Sequence, residues 1–148
     1  MEDQILDAPV RKSDNFTYAG FWIRFAAYFI DGIILTIAQY FLALVFFSGA
    51  DLFATNYTLS LVSLLVGVAY FSGMESSARQ ATIGKILLKL KVGDAQGGQI
   101  TFGNALGRYF AKILSFLTLL IGFMMAGWDP KKQALHDKIA GTYVFEGA

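Results

Sequence analysis

The chain has no cysteine, two prolines, one histidine and few charges. Without cysteine there are no disulfides, thiolate metal ligands or cysteine nucleophiles, and redox usage says nothing about compartment. Asp, Glu, Lys and Arg make up 16% of the 148 residues, against about 25% in a typical soluble domain. The net charge of +1 gives no case for nucleic-acid binding. Apolar and aromatic side chains replace the missing charge: 55% of the residues are hydrophobic, with 14 Phe and 7 Tyr, and the mean hydropathy is +0.52. That argues against disorder, which needs low hydrophobicity and high net charge. It also calls for a non-aqueous partner. The length fits one domain, with a polar tail over 1–17 followed by a membrane domain over 18–146.

A membrane-spanning helix needs about 20 mostly apolar residues. Three stretches qualify: 21–47, which contains Arg24 and Asp31; 57–74, which carries no charge; and 109–128, with Lys112 near its start. The first is too long and too acidic at its approach to be a cleaved signal peptide. Cytoplasmic flanks are rich in Lys and Arg. Arg11 and Lys12 precede the first stretch, the loop 48–56 has only Asp51, and the next connection holds Arg79, Lys85, Lys89, Lys91 and Arg108. The N-terminus is therefore expected inside. Three full crossings would put the tail outside, yet it carries Lys131, Lys132 and Lys138. Either the third stretch crosses and the charge rule is broken, or it breaks near 115–118 or Gly122 and turns back. Positive residues at both of its ends favour the second.

Between the second and third stretches, Ile83, Ile86, Leu87 and Leu90 form an amphipathic helical stripe. Lys85 and Lys89 lie off it, which suits a basic helix at anionic headgroups, joined there by Lys91. Alternation over 88–92 and at Ile100 and Phe102, around a turn-rich 94–98, predicts a short β-hairpin. Asp129 as N-cap, Pro130 at the first position and Gly141 after the last predict a helix over 130–140. A β segment over 142–145 then pairs with the hairpin if both lie on one side. Gly103, Gly107, Ala111 and Ser115, and likewise Ser63 and Gly67, have the spacing of close helix packing in lipid, within the bundle or between two copies. The expected fold is thus a small all-α membrane bundle of about three transmembrane segments, with a cytoplasmic amphipathic helix and a short hairpin.

Arg24 and Asp31 lie within about 20° of one helix face and about 10.5 Å apart along the axis. Arg24 can snorkel to the interface, whereas Asp31 sits about 14 Å deep. A carboxylate there costs about 2.5–3.5 kcal/mol on insertion scales. It must face the bundle interior or a wet cavity, with a water, Arg108 or Lys112 as partner. It serves either as a proton- or cation-coupling group or as a fixed lock between helices. His136 with Asp137 supplies too few ligands for a metal. The pair is either polar helix surface, or Asp137 reaches a cation such as Arg24 or Arg108 and closes a cytoplasmic gate. No hydrolase, metalloprotease or phosphate-loop pattern is present, so no enzyme activity and no cofactor are expected.

Three blocks, GFWIRFAAYFIDGIIL (20–35), QATIGKILLKLKVGDAQGGQITF (80–102) and KKQALHDKIAGTYVF (131–145), together resemble the RDD family of small bacterial integral membrane proteins, named for one Arg and two Asp. Arg24, Asp31 and Asp137 stand at those positions. The resemblance implies three membrane helices in a bacterial inner membrane and transport of ions or small solutes. On that reading Asp31 is the ion-binding carboxylate of a cation/proton exchanger. Arg24, Asp137 and Arg108 are its charged gate, with His136 and Lys112 beside them. A chain this short, without an internal repeat, would need a homo-oligomer to enclose a pathway. The alternative is a non-transporting adaptor or assembly factor that binds a partner membrane protein.

Overall fold

The computed structural model describes residues 17–46, 57–118 and 121–147. Most of the expected tail and the expected outer loop with Asp51 lie outside the described residues. Among the described residues, two helices are long and apolar enough to cross a membrane: α1 (Phe21–Phe46) and α2 (Tyr57–Glu75). The 26 residues of α1 span about 39 Å at 1.5 Å per residue, more than the roughly 30 Å of a bilayer's hydrocarbon core. Both helices turn large apolar side chains outward, among them Phe29, Ile37, Phe41, Leu61 and Leu65. Their few buried positions are small or charged: Arg24, Ala27, Asp31 and Ala43 on α1, and Gly67, Ser72 and Glu75 on α2. This is the polarity of a protein solvated by lipid, where burial is reserved for groups that lipid cannot satisfy.

The third apolar stretch does not run straight. It begins earlier than expected, with α4 (Phe102–Leu117), and continues as the short α5 (Ile121–Met124) and a 3-10 turn (Met125–Gly127) bent by 115° from α4. Thr101 caps α4 by accepting from the Asn104 N–H at 3.2 Å. The return leg packs tightly on α4: a Cβ at Gly122 would lie 2.6 Å from Ser115 Oγ. Ala105, Arg108, Ala111 and Ser115 line the inner face of α4, while Ile113, Leu114, Phe116 and Leu117 face out.

A three-stranded antiparallel sheet ties the chain together at one end. Its order is β1 (Thr17–Tyr18), β3 (Tyr143–Glu146), β2 (Leu90–Gly93), with Tyr18 and Lys91 both opposite Phe145. The three strands precede α1, follow α2 and end the chain. The start of α1, the end of α2 and the C-terminal strand therefore lie on one side, as the turned-back reading of the third stretch requires. Ala19, Leu90, Val92, Ile100 and Val144 form a small apolar core beneath the sheet, with Ala27 and Ala105.

Three expectations are corrected here. β2 pairs with β3, and no hairpin forms with Ile100 and Phe102. Asp94 accepts from the N–H groups of Gln96 and Gly98 and closes a tight loop; Ile100 then enters the core and Phe102 starts α4. The helix expected over 130–140 is only α6 (Leu135–Ala140). Asp129 instead accepts from Lys131 and Gln133 in a turn, and Lys132 takes a left-handed φ of 50°. Its carbonyl is thereby turned to Arg24. Gly141 closes α6 with a φ of 65°, as expected. Finally, α3 (Ile83–Leu87) forms where the amphipathic stripe predicts it, but with its polarity inverted. Ile83, Ile86 and Leu87 face outward, while Lys85 is fully buried and ion-paired to Glu75. Lys85 therefore does not meet headgroups. Lys89 is exposed and Lys91 half-buried.

Candidate functional site

The sheet end of the bundle holds a chain of buried charges drawn from five elements. Arg24 of α1 donates through Nε to the Ala19 carbonyl at 2.9 Å, and through its two other nitrogens to the Asp137 carboxylate and the Lys132 carbonyl. Asp137 of α6 also accepts from Arg108 of α4, which reaches Thr142 Oγ1 as well. Arg108 Nε donates to Glu75 Oε2 at 3.0 Å, and Glu75 Oε1 accepts from Lys85 and, at 3.3 Å, from Lys112. Arginine suits the two central positions because its planar fork serves several fixed acceptors at once. Arg108, Lys85, Glu75 and Asp137 have no exposed surface. Each charge is costly to desolvate alone, so removing one member strands its partners at a cost of about 3–5 kcal/mol. The arrangement ties α1, α2, α3, α4 and α6 at one end.

Asp31 forms a second, separate site. It is 0% exposed, and its bonds come from neutral donors: Tyr70 OH at 2.7 Å and Gly84 N–H at 2.8 Å on Oδ1, and Thr82 OH at 2.6 Å on Oδ2. Tyr70 OH in turn accepts from the Ile83 N–H at 3.1 Å. Ile83 and Gly84 are the first residues of α3, whose leading N–H groups have no partner within the helix. Their usual acceptor is an N-cap side chain. Thr82 makes no cap bond with its own side chain, and Asp31 of α1 supplies the acceptor from another helix. The docking is close: a Cβ on Gly84 would stand 2.3 Å from the Ala27 carbonyl oxygen and 2.9 Å from the Asp31 carboxyl. Only glycine fits there. The expected pairing of Asp31 with Arg108 or Lys112 is thus replaced by neutral donors, because both cations are drawn to Glu75, one helix away.

His136 is buried at 1% exposure, with its ring 5.2 Å from that of Phe123. Among the described residues neither ring nitrogen has a hydrogen-bond partner, although Nε2 lies 3.5 Å from Asp137 Oδ1. Burial, aided by Arg108, Lys112 and Arg24, pushes its pKa well below the ordinary value. Burial would by itself raise the Asp137 carboxyl, but the Arg108 and Arg24 guanidiniums outweigh it and hold it well below the usual carboxylate range. Among the described residues, no three His, Cys, Asp or Glu side chains converge as metal ligands.

Of the residues singled out in the sequence, Arg24, Arg108 and Asp137 are brought into direct contact, with Lys112 and His136 around them and Asp31 apart. The sequence reading missed Glu75. It is the sole acidic residue between Asp51 and Asp94 and adjoins an uncharged apolar stretch, which was the available signal. Tyr70, Thr82 and Gly84 carried no such signal, since each acts through a contact distant in sequence.

The sequence model of the RDD family matches residues 18–141. An uncharacterized protein of Bacillus subtilis, YxaI, is 41% identical over 147 residues, covering 85% of this chain and 95% of its own. The uncharacterized membrane protein YteJ of the same organism is 36% identical over 138 residues, covering 86% and 80%. The proline-rich antigen of Mycobacterium leprae is 38% identical over 71 residues, covering 47% of this chain and 28% of its own. No solved structure matches the chain.

Proposed function

This chain belongs to the RDD family and is a membrane protein, and we propose that it is a non-transporting adaptor that binds a partner membrane protein. The observation that carries this reading is the sealed state of Asp31. A carboxylate that moves ions must exchange its partners for water or a cation in every cycle. Asp31 instead completes the start of a neighbouring helix and has no exposed surface. The remaining charges pair with one another as a lock between helices. On this reading α1 and α2 cross the inner membrane of a bacterium, and the sheet with Lys89 and Lys91 lies at its cytoplasmic face. The partner meets the outward faces of α1 and α2, or the open side of α4, where a Cβ on Gly107 would meet nothing within 4 Å. Close helix approach at such small residues is a common mode of association in lipid.

Site-specific photo-crosslinking in intact membranes tests this, with the probe at Phe41 or Leu61, both exposed on the long helices. The adaptor reading expects a discrete adduct with a second membrane protein. Adducts with lipid alone, or with further copies of this chain alone, overturn it. The sharp bend between α4 and α5 supports a second reading, transport of ions or small solutes, because interrupted helices line many transporter sites. In that case Asp31 is the coupling group, Arg24, Arg108 and Asp137 form the gate, and a homo-oligomer completes the pathway.

A further inference from the structure

A cleft of about 420 Å³ opens between α1, α4 and the α5–α6 segment, within the range of ligand pockets. Along α1 it runs from Phe21 to Leu35, about 21 Å at helical rise, so it is long as well as narrow. Phe25, Phe116 and Phe123 belong to its wall, which is otherwise almost entirely apolar. Its charged members are different in kind. Arg24 already serves three acceptors. Lys112 does not: its ammonium has three donors and one hydrogen bond, to Glu75 at 3.3 Å, and it rests 5.0 Å and 4.7 Å from the Tyr28 and Phe71 rings. His136, on the same wall, is buried, with Nε2 3.5 Å from the Asp137 carboxylate and Nδ1 without a partner among the described residues.

The charge balance points the same way. The ion-paired cluster sets four cations, Arg24, Lys85, Arg108 and Lys112, against two carboxylates, Glu75 and Asp137. Asp31, bonded elsewhere, leaves the surplus positive. A buried surplus of cations, beside a histidine whose Nδ1 is left without a partner, calls for an anion. An apolar groove leading away from them into the bilayer calls for a hydrocarbon chain. The geometry points to a binding site for one anionic phospholipid of the surrounding membrane, its phosphate at Lys112 and His136 and one acyl chain along the cleft. This stands whether or not a protein partner docks on the outer faces.

The test uses the full chain, purified and delipidated in detergent. It is titrated with phosphatidylglycerol, with phosphatidylcholine of the same chains, and with glycerol phosphate, and bound lipid is counted by native mass spectrometry. One phosphatidylglycerol per chain is expected, with phosphatidylcholine bound at least tenfold more weakly and no competition from glycerol phosphate. Lys112→Gln lowers phosphatidylglycerol affinity at least tenfold. Gly32→Leu is the second variant. Gly32 lines the cleft and a Cβ there meets nothing within 4 Å, so the added side chain fills the acyl path without touching the charges, and retention also falls. Equal binding of the two lipids, or both variants binding phosphatidylglycerol like the wild type, overturns the site. Competition by glycerol phosphate overturns the lipid and leaves a site for free phosphate.

Discussion

Gly84→Ala separates two opposite expectations. In an ordinary helix, replacing Gly by Ala stabilises by about 0.4–1 kcal/mol, because the unfolded chain loses freedom and helix propensity rises. At position 84 the added Cβ would stand 2.3 Å from the Ala27 carbonyl oxygen, which is backbone and cannot swing away, and 2.9 Å from the Asp31 carboxyl. Relieving that contact moves α3 off α1 by about an ångström. Overpacking costs about 1–3 kcal/mol, and weakening the bonds from Gly84 and Thr82 to Asp31 adds about 1–3 kcal/mol for a buried acceptor left short of donors. After the propensity gain, a net loss of about 1–5 kcal/mol remains. On the scale of a domain of this size it lowers the melting temperature by roughly 2–20 °C. Thermal unfolding of the purified protein in detergent reads this directly. Gly107→Ala, where a Cβ meets nothing within 4 Å, is the control and keeps or raises the melting temperature. If Gly84→Ala matches or exceeds the wild type, the trans-capping of α3 by Asp31 is wrong.

Further outcomes follow from the charge cluster. Asp137→Asn leaves Arg24 and Arg108 sharing a neutral amide, and should cost about 3–5 kcal/mol, read as loss of the monodisperse peak on size exclusion. Arg24→Lys cannot serve the Ala19 and Lys132 carbonyls and Asp137 together; a loss of about 1–3 kcal/mol by thermal unfolding is expected. His136 sets the pH dependence. Its pKa is lowered in the folded state, so the unfolded chain binds the extra proton. Stability is then full above about pH 6.5 and falls below it by up to about 1.4 kcal/mol per pH unit. Melting curves from pH 7.5 to 5 should show this slope, and His136→Phe should flatten it. Asp137 adds no slope in that window, because its lowered pKa keeps its contribution until the pH falls below the usual carboxylate range.

The two long helices were legible because lipid solvation makes apolar length nearly sufficient evidence, and 21–46 and 57–75 differ from the expected bounds by a residue each. A break in the third stretch was expected near 115–118 or Gly122, and the 115° bend falls between Leu117 and Ile121. The pairing of 143–146 with 90–93 followed from placing both on one side. The errors have a common physical source. A short amphipathic helix in water hides its apolar stripe, whereas α3 hides Lys85, which pairs with Glu75, and shows Ile83 and Leu87. Asp129 and Pro130 are good helix starters locally, but Arg24 needs the Lys132 carbonyl, and that distant demand holds the segment in a turn. The donors to Asp31 lie 39 to 53 residues away, where no spacing rule reaches. Glu75 was overlooked because it stands just past the residues that define an apolar span.

The claim that Asp31 is a fixed structural acceptor is tested most directly by ion flux. The purified full chain is reconstituted into sealed liposomes, and Na⁺, K⁺ and proton movement is followed under imposed gradients beside protein-free vesicles and Asp31→Asn. The account predicts rates for the wild type equal to those of protein-free vesicles for all three ions. Flux above that level, abolished by Asp31→Asn, would contradict it.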